Sequence, residues 1–367
     1  MVARRPLIIA EIGTSHQGDI NRARELIDAA AESGADCIKA QIVYADEIVH
    51  PRTGLVELPG GPVPLWERFR ALETELSLFE EMNRRCRERG VSFLASCFGK
   101  RGLRDLRALD LSWVKIASPE LNHLPLLDAV REAELNVFLS AGVATLADID
   151  EALGHLDPGK TTLMHCVTAY PAPPEEYNLR LLETLRAVFG RPVGVSDHSL
   201  DPLLVPTLAA ALGAACIEKH FTLARAGGGL DDPIALEPAD FRRMVDSVRE
   251  LAATLPGARV VEVGVWNRLR ERFGAESVRA VLGDGVKRLA PSEVENYGRT
   301  NRSILAAADI AEGDPMTEHN LSILRSEKNL SPGLHPRYWS LLLGARAARK
   351  IGDGEGLRWE HVLRTGS

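Results

Sequence analysis

A closed parallel (β/α)8 barrel, a TIM barrel, followed by a small C-terminal domain is the architecture this sequence predicts, on three observations. Eight short apolar runs fall within the first 221 residues and each ends at a polar or charged residue; helix-like stretches separate them; and the composition changes near Asn301. Near-continuous apolar runs suit strands buried on both faces, and strand–helix alternation repeated eight times is the pattern of a barrel.

The runs are Leu7–Glu11, Cys37–Gln41, Phe93–Ser96, Val114–Ser118, Val137–Ser140, Leu163–Thr168, Val193–His198 and Cys216–His220. Barrels of this kind carry their active sites where strand C-termini meet the following loops. Glu11, Lys39, Lys115, His198 and His220 are therefore expected to converge. Between the strands, Ser77-Leu-Phe-Glu80 reads as a capping box, and Asp201-Pro202 as an N-cap followed by proline at the first helical position. The stretch from Tyr44 to Glu75, with Gly60-Gly61-Pro62, is too long for an ordinary connection. A lid over the active-site face and a plain surface excursion are equally consistent with it.

A helix is expected from about Pro238 to Leu255, then a connector with one helical piece around Val265–Phe273. We set the boundaries at 1–280 for the barrel unit, 281–300 for the linker and 301–367 for the C-terminal domain. In that last segment Asp309-Ile310, Gly313 and Glu318-His319 are echoed by Lys350-Ile351, Gly354 and Glu360-His361, a pseudo-repeat of short strands and glycine turns. So small a unit is near the lower limit for a self-sufficient core and is expected to dock on something.

The 44 basic and 51 acidic residues give a formal charge of −7, which argues against a surface for nucleic acid or other polyanions. No apolar run reaches the ~18 residues of a membrane-spanning helix, and Met1-Val-Ala-Arg-Arg leads directly into a strand instead of a signal-peptide core. A cytoplasmic protein with no membrane partner is expected. The five cysteines, Cys37, Cys86, Cys97, Cys166 and Cys216, include no CxxC and lie mostly within strand runs, so buried reduced thiols are expected in place of disulfides or a zinc site.

An isolated strand-end lysine is more often a surface charge, and an isolated histidine more often a hydrogen-bonded core residue. Two lysines on apolar strands leading to one barrel mouth, and two histidines ending neighbouring strands, favour chemistry instead. His198 and His220 can bind one divalent ion while leaving positions for water or substrate. So sparse a protein ligand set suits a labile ion better than tightly held zinc.

Six motifs carry a family resemblance over almost the whole chain: Ala10-Glu-Ile-Gly-Thr-Ser-His-Gln-Gly-Asp19, Lys115-Ile-Ala-Ser118-Pro-Glu120-Leu-Asn122, His165-Cys-Val-Thr-Ala-Tyr-Pro171, Ser196-Asp-His198, Glu218-Lys-His-Phe-Thr222 and the segment around Asp309. The chain resembles the sialic acid synthase (N-acetylneuraminate synthase) family. That family joins a (β/α)8 barrel to a C-terminal antifreeze-like (SAF) domain and condenses phosphoenolpyruvate with an N-acetylated hexose. The resemblance implies a carbon–carbon bond-forming transferase that makes a 2-keto-3-deoxy sugar acid and releases phosphate. It implies that Lys39, Ser96, Lys115, Ser118, Ser140 and Ser196 bind phosphoenolpyruvate. His198 and His220 would hold Mn2+ or Mg2+. Glu11 and Glu120 are the implied catalytic carboxylates, with Glu218 a further candidate. Tyr170, Asp231 and Arg325 would meet the sugar, with Arg325 reaching the partner's barrel mouth in a domain-swapped homodimer.

Departures from the family pattern concern the acceptor. Lys39-Ala-Gln-Ile42 stands where Lys-Phe-Gln-Thr is common, Ser140-Ala-Gly-Val143 replaces Ser-Thr-Gly-Met, and Asp231-Asp232 replaces Asp-His. An aldose other than N-acetylmannosamine is one open reading. A class II aldolase-like metal enzyme is another, and a non-catalytic carbohydrate-binding protein on the same fold a third, since fold does not establish activity.

Overall fold

The computed structural model describes residues 5–58, 61–254 and 263–363. The chain start at Met1, Gly60, the expected helix end at Leu255, the first part of the connector and the last four residues lie outside them. The strands are β1 (Leu7–Gly13), β2 (Cys37–Gln41), β3 (Leu55–Leu58), β4 (Gly61–Pro64), β5 (Ser92–Ser96), β6 (Trp113–Ile116), β7 (Asn136–Ser140), β8 (Thr161–Cys166), β9 (Val193–Asp197), β10 (Cys216–His220), β11 (Arg302–Ala306) and β12 (Leu321–Arg325). A closed barrel runs β1-β10-β9-β8-β7-β6-β5-β2, with every pairing parallel. Each predicted apolar run coincides with one of its strands to within two residues at either end.

Side chains two apart on a strand share a face, and this alternation organises the barrel interior. Ile9, Cys37, Leu94, Phe138, Met164 and Cys216 form an apolar layer separate from the outer core that packs strands against helices. Two residues further along the same strands stand Glu11, Lys39, Ser96, Ser140, Cys166 and Glu218. Lys115 and Ser196 complete this polar second layer from β6 and β9. Gln41, His198 and His220 follow at the mouth. One step of alternation thus turns a dry plug into a charged floor.

Local helix signals were partly overruled. The 76–88 helix starts after Glu75 without a side-chain cap, so Ser77 lies inside its first turn and the capping box does not form. Asp201 does accept the backbone N–H groups of Leu203 and Leu204, but the helix begins at Leu204 and Pro202 stays in the preceding turn. A second connector helix, Ala275–Leu282, follows the Val263–Phe273 helix and was not foreseen.

The 44–75 segment is a built structure with its own apolar cluster, in which Val43, Ile48, Val49, Val56, Leu65 and Leu72 meet Phe98 from the end of β5. Its hairpin β3–β4 and a short helix lie between barrel mouth and C-terminal domain: Arg68 donates to Gly228 O at 3.0 Å, and Asn329 donates to Thr53 O. In the C-terminal domain β11 pairs antiparallel with β12, and the pseudo-repeat closes on itself through a bridge between Ile310 and Ile351. That domain has a separate core around Ile304, Met316, Leu342 and Leu357. All five cysteines are free and buried. Among the described residues no helix is long and apolar enough to cross a membrane.

Candidate active site

The polar second layer is a continuous ionic cluster. Lys39 Nζ lies 2.9 Å from Glu11 Oε2, 3.4 Å from Glu218 Oε2 and 3.3 Å from Ser96 Oγ. Lys115 Nζ lies 3.4 Å from Glu218 Oε1, which also accepts the Ser196 hydroxyl at 2.8 Å. Glu11 Oε1 accepts from Gln41 Nε2 at 2.8 Å. All of these side chains except Gln41 are almost wholly buried.

Burial raises the Glu11 carboxyl to about 7, against the pull of Lys39. Burial also opposes ionisation of Glu218, but Lys115 and Lys39 outweigh it and hold this carboxylate at about 2. The two lysines diverge. Burial disfavours the charge on both; Glu11 and Glu218 more than compensate at Lys39, whereas at Lys115 burial prevails and the pKa falls below its ordinary value. Glu11 is the one acidic group of the layer poised to exchange a proton near neutral pH.

Above this floor His198 and His220 face each other, ring centres 5.5 Å apart. His198 Nδ1 lies 2.8 Å from Val167 O, which fixes its tautomer and leaves Nε2 for a ligand. Burial and the neighbouring His198 hold His220 well below its ordinary pKa, the neutral state a metal ligand requires. Among the described residues no group of three or more His, Cys, Asp or Glu side chains is gathered to hold a metal. His198 and His220 would supply two imidazole ligands to an ion, its remaining positions falling to water and substrate. Tyr170 stacks on His198 at 4.3 Å between ring centres, and Asp231 Oδ2 lies 4.0 Å from His220 Nδ1. Gly13 has φ +50°, and a side chain there would sit 3.2 Å from Glu11 Oε1 and 3.4 Å from Asp231 Oδ2, crowding both carboxylates.

Ser118 and Ser140 stand at the ends of neighbouring strands. Ser118 Oγ accepts the Gly142 N–H at 3.0 Å, while Ser140 Oγ is buried without a hydrogen-bond partner. Glu120 and Arg325 lie outside the ionic cluster. Glu120 Oε1 takes Arg302 Nη2 at 2.8 Å and Arg325 Nη2 at 2.6 Å, with both Nε atoms also donating to it. Glu120 thereby joins barrel to C-terminal domain. Within the chain described, Arg325 meets Glu120 of the same polypeptide. Its backbone N–H bonds Ile48 O at 3.0 Å, so the 44–75 segment seats β12 beside its own barrel.

Three of the acceptor-side departures do not line the mouth. Ala40 and Ile42 belong to the outer core facing the helices, one step out of phase with Lys39 and Gln41. Asp232 is fully buried, bonded to Ser15 Oγ at 2.5 Å and Gly229 N at 2.7 Å, and supports the loop that carries Asp231. Residues the sequence did not single out include Cys166, in the second layer at 3.8 Å from His198 Nδ1, and Tyr177, whose hydroxyl accepts the His198 N–H. Arg302, fully buried, and Glu293 of the connector were also missed. Strand phase pointed to Cys166; nothing local pointed to Arg302 or Glu293, whose barrel partners Glu120, Val143 and Thr168 lie 125 or more residues away.

Comparison with known proteins decides the family: the NeuB family profile matches residues 26–259 and the SAF domain profile residues 301–363. This chain belongs to the NeuB family. The spore coat polysaccharide biosynthesis protein SpsE of Bacillus subtilis is 35% identical over 97% of this chain and 93% of that protein. Its crystal structure superposes with a TM-score of 0.83 at 33% identity, over 99% of this chain and 96% of that one. The N,N'-diacetyllegionaminic acid synthase of Legionella pneumophila is 30% identical, covering 97% of this chain and 94% of its own length. The pseudaminic acid synthase of Helicobacter pylori is 30% identical, covering 98% of each. The NeuB-family barrel and its SAF domain thus account for both folded units.

Proposed function

We propose that this NeuB-family protein condenses phosphoenolpyruvate with an aldose to form a 2-keto-3-deoxy sugar acid and inorganic phosphate. The observation that carries the reading is the buried Glu11–Lys39–Glu218–Lys115 cluster, set directly beneath two histidines at the mouth of a closed barrel. Ammonium groups flanked by serine hydroxyls suit a small dense anion. Similarity to the legionaminic and pseudaminic acid synthases supports an acceptor of the amino-sugar class, N-acetylmannosamine or a related modified sugar.

In this reading the enol C3 of phosphoenolpyruvate attacks the aldehyde carbon, forming the C–C bond and leaving C2 electron-poor. Water adds at C2, and the phosphorylated hemiketal collapses by C–O cleavage to ketone and phosphate. Lys39 and Lys115 bind the anion and oppose charge build-up on its carboxylate end. Glu11, near 7, takes the proton of the adding water; Gln41 and Lys39 fix its two oxygens. A divalent ion, Mn2+ or Mg2+, held by His198 and His220 would polarise the aldehyde oxygen and favour the developing alkoxide. Tyr170 and Asp231 flank that position and orient the sugar, while Arg325, 5.6 Å from the Phe98 ring centre and tethered by Glu120, offers a cation at the rim.

The test is incubation with phosphoenolpyruvate, Mn2+ and a panel of aldoses, reading phosphate release and product mass. A product of mass aldose plus pyruvate supports the reading; absence of both products across amino, N-acetylated and neutral aldoses contradicts it.

A further inference from the structure

The two strand-end histidines are not equally anchored. A metal-binding imidazole ordinarily donates its second ring N–H to a carboxylate or carbonyl, which fixes its orientation. His198 has Val167 O for this, but the ring of His220 makes no hydrogen bond among the described residues, and Asp231 Oδ2 stands off at 4.0 Å. The placement of His220 therefore depends on the backbone that carries it.

That backbone is clamped from behind. The residue before each histidine is charged, and strand alternation turns it to the opposite face, toward the helices. Asp197 precedes His198, Lys219 precedes His220, and the two stand in register across β9 and β10. Lys219 Nζ donates to Asp197 Oδ2 at 2.7 Å, to the carbonyl of Ser199, and to the Ser199 hydroxyl at 3.2 Å. Asp197 Oδ1 in turn accepts the Ser199 N–H at 2.8 Å. One ammonium group thus grips the residues on both sides of His198, while its own backbone leads into His220. Tyr177 adds a further tie: its hydroxyl lies beside the Asp197 carboxylate and accepts the His198 N–H at 2.6 Å. Asp197, Ser199, Lys219 and Tyr177 are each at most 1% exposed.

Stability alone does not account for a charged pair at this place. Burying two charges costs desolvation that their attraction only partly returns, and a well-packed apolar pair of similar volume is often as stable or more so. What an apolar pair lacks is direction. Three N–H bonds from one ammonium group to the 197–199 turn fix the end of β10 against the end of β9, and with them the 5.5 Å between the ring centres of the two histidines.

We propose that Lys219 and Asp197 are positioning residues, a clamp behind the barrel wall that sets the spacing and facing of the His198 and His220 imidazoles and so the affinity of the pair for a divalent ion. The proposal rests on the two-histidine metal reading above, and ion binding is read directly, apart from turnover. In the full chain, calorimetry with Mn2+ compares wild type, Lys219→Met and the doubly neutral Asp197→Asn/Lys219→Met. Both variants should bind Mn2+ about 10- to 100-fold more weakly, the usual effect of losing a group that orients a metal ligand. The visible absorption bands of bound Co2+, used as a probe of ligand geometry, should change with them. Lys219→Met leaves a buried carboxylate uncompensated, and where that prevents folding the neutral double variant decides. Equal Mn2+ affinity in wild type and the folded variants overturns the proposal, as does a wild type that binds no Mn2+. Weaker binding with unaltered Co2+ bands and a lowered melting temperature would mark a general loosening of the barrel, and overturns it as well. A wild type that binds Mn2+ yet condenses no aldose fails the condensation reading alone, and the calorimetry still decides the clamp.

Discussion

Arg325 Nη2 and Glu120 Oε1 are 2.6 Å apart, and this bond ties the last strand of the C-terminal domain to the end of the fourth barrel strand. Arg302 donates to the same oxygen from the adjacent strand, and both carboxylate and Arg302 are fully buried. Removing one partner of such a cluster leaves the others uncompensated, which typically costs about 3–5 kcal/mol. Glu120→Ala should therefore loosen the domain from the barrel. Thermal unfolding in two separated transitions, or a drop of several degrees, is the expected outcome; an unchanged single transition would show the contact to be dispensable.

Subunit mixing tests whether Arg325 serves a partner's barrel, as the family resemblance implies. An Arg325→Ala subunit mixed with a His198→Ala subunit should regain phosphate release in mixed dimers, since in a domain-swapped homodimer both lesions fall in one site and the other stays intact. No recovery despite verified exchange between two inactive parents would show that each barrel takes both groups from its own polypeptide.

His198→Ala and His220→Ala are each expected to abolish condensation and Mn2+ binding while circular dichroism stays unchanged. A chelator should silence the wild type, with activity restored by Mn2+. Near-normal turnover and an unaltered metal titration in either variant would remove the two-histidine site.

Glu11 sets the pH dependence. Its folded value of about 7 lies above the ordinary 4.5, so the base form grows as pH rises through 7, and kcat/KM should climb over the same interval. The linkage has the opposite sense for stability: the folded state holds this proton more tightly, so Glu11 lowers stability as pH rises from 4.5 to 7. Glu11→Gln should lose the ascending limb and reduce kcat by about 10²–10⁴-fold. An identical pH profile in the variant would assign the proton elsewhere.

Much of this organisation was legible in the sequence because strand periodicity is local. The eight apolar runs pointed to the barrel, and the polar residues within or at the end of them singled out Glu11, Lys39, Lys115, His198 and His220. Phase within a run would also have separated Lys39 and Gln41, which face inward, from Ala40 and Ile42, which face the helices. What stayed hidden was long-range. Glu120 looks like a free carboxylate until Arg302 and Arg325 arrive from about 180 and 205 residues away. The connector looked like a spacer until Glu293 was found bonded to Val143 and Thr168. The Ser77 capping box failed because Glu75 became the N-cap and the helix started earlier than the motif requires.

The central claim is that the Glu11–Lys39–Glu218–Lys115 cluster binds phosphoenolpyruvate for condensation, and calorimetry of phosphoenolpyruvate on wild type and Lys115→Ala, each with and without the aldose that supports phosphate release, tests it most directly. Lys115 is the cleaner probe because its one ionic partner among the described residues is Glu218, whereas Lys39 also holds Glu11. The account predicts that phosphoenolpyruvate binding weakens at least about tenfold in the variant while aldose binding is retained. Loss of aldose affinity alone, with phosphoenolpyruvate bound as tightly as by wild type, would contradict it.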